Sequence, residues 1–86
     1  MNGMPELQVL VVDDEPAIRQ VLSAALNKAG YPVESAGSAN EALAKLDKTA
    51  FDVVLCDVFM PVTDGIELIK LPRARGHGAT FIMVTA

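Results

Sequence analysis

Along these 86 residues, short runs of consecutive apolar side chains alternate with stretches in which apolar residues return every three or four positions. The first pattern predicts buried strands and the second amphipathic helices. Residues 7–12 make the first run, ending on Val9, Leu10, Val11 and Val12, and then Ile18, Val21, Leu22, Ala25, Leu26 and Ala29 recur at helical spacing. Asp14 is placed to cap that helix, Pro16 is tolerated in its first turn and Gly30 supplies its stop. Residues 31–36 read as a second strand. Ser38 and Glu41 then form a capping-box pattern that opens a helix with Ala39, Ala42, Leu43 and Leu46 on its apolar face. Phe51 leads into a third run, Val53, Val54, Leu55 and Cys56. A loop follows, then a third helix from about Gly65 bearing Ile66 and Ile69, and a last strand over residues 80–85. Strands alternating with helices predict a parallel α/β sheet.

In such a sheet, ligand sites form at the carboxyl edge, where the strand order reverses. The first run is closed by Asp13 and Asp14 and the third by Asp57. The three acids are therefore expected to meet at that edge. Three like charges in one crevice repel one another and call for a cation, and hard oxygen donors without a nearby His or Cys suit Mg²⁺ better than zinc.

Composition narrows the function classes. With 51% of its residues apolar, the chain is no disordered segment, and its length allows one small domain with a thin core. A net charge of −4 gives no electrostatic attraction to nucleic acid or to an anionic membrane. Cys56 is the single cysteine, which rules out a disulfide framework within the chain and leaves core packing as its role. The N-terminus has no basic region and no apolar stretch approaches a membrane span, so the expectation is a soluble, cytoplasmic protein. His77 sits between two glycines as a solvated loop residue, and Arg73 and Arg75 are too few for a nucleic-acid patch.

Several separate motifs agree in order and spacing: the acid pair Asp13 and Asp14 followed by Glu15 and Pro16, the loop carrying Asp57, Met60, Pro61, Asp64 and Gly65, and the terminal Thr85 and Ala86. In these the chain resembles, over its whole length, the receiver domain of bacterial two-component response regulators. The resemblance implies a flavodoxin-like (CheY-like) parallel sheet of strand order second-first-third-fourth-fifth. It makes Asp57 the phosphoacceptor and puts Asp14 on a Mg²⁺ or Mn²⁺ ion, with Asp13 acting mainly through a water. The backbone carbonyl of Phe59 completes the protein ligands. Thr85 corresponds to the hydroxyl residue that hydrogen-bonds the phosphoryl group, and the small Ala86 leaves room for that group. Met60, Pro61, Asp64 and Gly65 shape the loop and the helix entry. The implied partner is a histidine kinase or phosphotransfer protein, and the product is an aspartyl phosphate that serves as a signal. A receiver of this kind is no conventional enzyme, although it promotes its own phosphorylation and dephosphorylation.

Two departures from the family pattern stand out. Residues 1–86 correspond to the N-terminal portion of a receiver, with four strands and three helices and no second domain. The fifth-strand lysine that contacts the phosphoryl group has no counterpart, nor has the effector domain. Pro72 stands where the family has an apolar helix residue, so the third helix is expected to end or kink near Leu71. Without a fifth strand, the strand at 80–85 becomes an uncharged, apolar edge, which favours a homo-oligomer. Three readings remain open: a phosphorylatable receiver, a truncated receiver fragment that acts only in binding or oligomerisation, and a Mg²⁺-dependent phosphohydrolase of the haloacid-dehalogenase type with an Asp nucleophile. The last is the poorer match, because it requires a second acid where Phe59 stands.

Overall fold

The computed structural model describes residues 7–57 and 78–84. The elements run β1 (Val9–Val12), α1 (Pro16–Lys28), β2 (Val33–Ala36), α2 (Ala39–Lys48), β3 (Val53–Asp57) and β4 (Thr80–Val84). All strand pairings are parallel, in the order β2-β1-β3-β4. Central β1 is buried at every position, which is why its sequence is a continuous apolar run and does not alternate. The third helix expected near Gly65, the Pro72 kink, and Arg73, Arg75 and His77 lie outside the described residues.

Two strands begin later than the apolar pattern suggests, each for a hydrogen-bonding reason. The Gln8 amide donates to the Asp52 carboxylate at 2.8 Å instead of joining a ladder, so β1 starts at Val9. The Tyr31 amide is taken by the end of α1. There Gly30 adopts φ 101°, its amide donates to Asn27 O, and the Tyr31 amide donates to Leu26 O. This is a Schellman stop, which needs a residue tolerant of positive φ. Pro32 has no amide to offer, and β2 starts at Val33.

The start of α1 corrects the assignment of Asp14 as its cap. Glu15 occupies the N-cap position and no side chain caps the helix. The carboxylate of Asp13 takes the Glu15 amide at 2.9 Å, and Pro16 at the first helical position leaves one donor fewer to satisfy. Asp14 is thereby left to the crevice. At α2, by contrast, Ser38 Oγ accepts from the Glu41 amide at 3.1 Å as the pattern predicts. Glu41 reaches back one residue further than a capping box requires, accepting from the Gly37 amide at 2.7 Å.

The core lies between the sheet and α2. Leu10, Val12, Ala36, Val54 and Cys56 meet Ala39, Ala42, Leu43, Leu46 and Phe51, with Phe81 and Met83 packed against them. The expected apolar face of α2 is buried in full. The opposite sheet face is less covered. α1 packs on β1 and β2, yet none of its residues is buried, and Val21 remains 65% exposed. The register row Val11, Leu55 and Ile82 runs from fully buried on β1 to 47% exposed on β4. No helix among the described residues is long and apolar enough to cross a membrane.

Candidate functional site

Register decides the site. β1 and β3 are paired in parallel with Val12 opposite Cys56, so the next residues stand side by side at the sheet edge, Asp13 just past β1 and Asp57 at the last position of β3. The Asp13 amide continues the ladder by donating to Ala36 O at 3.1 Å, which keeps this acid in line with the strand. Asp14 follows in the turn, and one carboxylate oxygen from each of Asp13, Asp14 and Asp57 lies within 4.8 Å of the others. The sheet edge therefore brings together the three acids expected there.

Their environments differ. Asp13 is buried, at 8% exposure, and Asp57 is half-buried. Burial holds the Asp13 carboxyl above its ordinary pKa, the Glu15 amide opposes that shift, and the negative charges of Asp57 and Asp14 add to it. An acid destabilised in its charged form by burial and by two like charges fits a divalent cation, which reverses both effects. Oxygens around an octahedral Mg²⁺ lie about 3–4 Å from one another. The carboxylates are near enough for direct ligation by some and a bridging water to another. Phe59, Thr85 and Ala86, the other residues assigned to the site from the sequence, lie outside the described residues.

One contact of the site escaped the sequence reading. Arg19 Nη1 donates to the backbone carbonyl of Asp13 at 2.6 Å. Nothing in hydrophobic periodicity marks an arginine on the first turns of α1, and the only signal is a cation close to an acid pair on a helix that packs on the same strand.

The family model for the response regulator receiver domain matches residues 9–86. The chain belongs to this family. It is a receiver domain of two-component response regulators, and as such a signalling module. Among curated proteins it is 42% identical over 85 residues to the transcriptional regulatory protein TrcR of Mycobacterium tuberculosis, covering 99% of this chain and 33% of that protein. It is 38% identical over 86 residues to the transcriptional regulatory protein ResD of Bacillus subtilis, covering 100% of this chain and 35% of the relative. This receiver domain thus spans about a third of the length of these relatives. Among solved structures it is similar to the response regulator TrrA of Thermotoga maritima in complex with Mg(2+)-BeF, with a TM-score of 0.84 and 38% identity over 93% of this chain and 70% of that one. The phosphohydrolase and binding-only readings are not favoured by this kinship, and the flavodoxin-like fold is confirmed.

Proposed function

We propose that this receiver domain accepts a phosphoryl group on Asp57 from the phosphohistidine of a histidine kinase or phosphotransfer protein. A carboxylate oxygen of Asp57 attacks phosphorus, the P–N bond breaks, and the imidazole leaves with its electron pair. The product is an acyl phosphate. Asp14, Asp57 and the Phe59 carbonyl would hold Mg²⁺ or Mn²⁺, with Asp13 acting through a water. The bound ion would neutralise the phosphoryl oxygens in a loose transition state that depends on positioning and electrostatics. Asp57 is the attacking group, while Asp13 and Asp14 supply the charge that recruits the ion. The Thr85 hydroxyl donates to the phosphoryl group, and Ala86 leaves space beside it. In this way the domain promotes its own phosphorylation.

The observation that carries this reading is the convergence of three carboxylates, one oxygen from each within 4.8 Å, at the carboxyl edge of β1 and β3. TrrA, solved with Mg(2+)-BeF, supports extending the same ligand chemistry to this chain. Intact-protein mass spectrometry after incubation with acetyl phosphate tests it. The expected result is an adduct that requires Mg²⁺ and is absent from Asp57→Asn. An adduct that survives in this variant would place the chemistry elsewhere.

Output falls to an effector; TrcR and ResD, a third of whose length this domain spans, are transcriptional regulatory proteins, which favours transcription as the output. An ATP-dependent kinase as donor fits a cytoplasmic setting. β4 pairs with β3 alone among the described residues, and Ile82 and Val84 stand exposed on it. Along this side of β4 is where a second copy would pair. Sedimentation at high micromolar concentration should therefore give a dimer or larger species, and a monodisperse monomer would exclude the pairing.

A further inference from the structure

Arg19, on the first turns of α1, and Gly37, in the turn between β2 and α2, meet beside the acid cluster. The Arg19 guanidinium donates to the Asp13 carbonyl at 2.6 Å. A Cβ placed on Gly37 would lie 3.0 Å from the same Nη1, nearer than ordinary van der Waals contact. Gly37 is not among the glycines with positive φ, so space and not backbone conformation is what its missing side chain provides. The glycine is itself held in place, because its amide donates to Glu41 Oε1 at 2.7 Å, on a helix already capped by Ser38.

The bonded carbonyl sits at a sensitive point. It belongs to the peptide plane between Asp13 and Asp14, and turning that plane swings the Asp14 carboxylate relative to Asp13 and Asp57. Asp13 itself is fixed twice over, through its amide to Ala36 O and its carboxylate to the Glu15 amide. Among these bonds, the one from Arg19 is the one made to the carbonyl between the two acids. The side chain is not locked by burial, since it lines an open groove of about 260 Å³ with Pro16, Gln20, Ser23 and Ser35. Removing it would open that groove further without emptying a core cavity.

From this geometry we infer that Arg19 is a positioning residue for the cation pocket. Its guanidinium, seated in the gap left by Gly37, fixes the peptide between Asp13 and Asp14 and so aims the Asp14 carboxylate at the ion. The inference rests on the Mg²⁺ site proposed above. Groups that orient a ligand without touching the metal commonly change affinity about 10–100-fold when removed.

The test is a Mg²⁺ titration followed by NMR at the amides of Asp13, Asp14 and Glu15, alongside thermal melts in EDTA. Arg19→Ala should weaken Mg²⁺ affinity about tenfold with little change in the metal-free melt, and Arg19→Lys, which keeps one donor, should recover most of the loss. Gly37→Ala should weaken affinity in the same direction by crowding the guanidinium. The double variant should bind no worse than Arg19→Ala alone, because both changes break one contact. If Arg19→Ala melts early, the Gly37→Ala and Arg19→Lys variants still decide the matter. Wild-type affinity in both Arg19→Ala and Gly37→Ala, or strictly additive losses, would overturn the role of Arg19 and leave the site standing. A wild-type chain that showed no Mg²⁺ shifts would overturn the site itself and this inference with it.

Discussion

Replacing Asp13 by Asn removes a charge from the cluster while keeping an oxygen that can accept from the Glu15 amide. The three carboxylates have oxygens within 4.8 Å of one another, and unit charges at that separation repel by about 0.9 kcal/mol at the dielectric constant of water and about 3.5 kcal/mol at an effective value near 20. Asp13→Asn relieves two of the three repulsions, or at least about 1.8 kcal/mol. Against this, exchanging a charged acceptor for a neutral one at the Glu15 amide costs about 1 kcal/mol. Relief wins. Without metal, at mildly alkaline pH, the variant should be more stable than wild type by about 1 kcal/mol or more, a rise in Tm of about 4–8 °C for a domain of this size.

The pH dependence has a definite sign. Asp13 is raised above its ordinary value of 3.8, so the folded state keeps its proton to higher pH than the unfolded chain does. Its charged form therefore costs stability progressively as pH rises from about 3.8 through the raised folded value. The advantage of Asp13→Asn should be full above that window and vanish below it. Mg²⁺ should reverse the ranking, because an ion that binds only the folded state raises Tm by mass action and the variant has lost part of the ion's attraction. Thermal melts in EDTA and in Mg²⁺ across pH measure all of this. A variant that melts below wild type in EDTA, or gains as much from Mg²⁺ as wild type does, would show that repulsion within the acid cluster does not set the stability of the metal-free domain.

Further outcomes follow from the same structure. Asp14→Ala, which removes the acid freed from helix capping, should abolish Mg²⁺-induced NMR shifts at Asp13 and Asp57 while leaving the metal-free fold intact; retained shifts would exclude Asp14 as a ligand. Leu46→Ala, at a side chain 2% exposed between α2 and the sheet, should cost about 2–5 kcal/mol in urea unfolding. That is a large part of the whole stability expected of so small a domain, and a cost below about 1 kcal/mol would mean that the α2 layer is not where the core lies.

How much of this was legible beforehand differs by element. α2 was readable at its start and on its buried face, because Ser38 and Glu41 fix its first turn and Ala39, Ala42, Leu43 and Leu46 all face one neighbour. β1 was readable in kind but not in extent, since its first residues are apolar enough for a strand while the Gln8 amide is spent on Asp52. α1 has the right spacing of apolar residues, yet spacing reports a preferred face and not whether anything covers it; Ile18 and Val21 remain exposed. At the site, strand-end position was enough to bring Asp13, Asp14 and Asp57 together. The division of labour between the two adjacent acids was not legible. Either can accept a helix-start amide, and only the path of the chain after β1 gives that bond to Asp13. Arg19 was missed for a related reason, since its partner is a backbone carbonyl, which no side-chain motif records.

If Asp57 carries the phosphoryl group, site mapping will find it there. After labelling with acetyl phosphate and Mg²⁺, borohydride reduces an acyl phosphate to a primary alcohol and releases phosphate, leaving a stable mass change at the modified residue. Tandem mass spectrometry of the digested protein should find that change at Asp57 alone, and only when Mg²⁺ was present. Reduction at Asp13 or Asp14, or none at Asp57 in a folded, Mg²⁺-bound sample, would contradict the account.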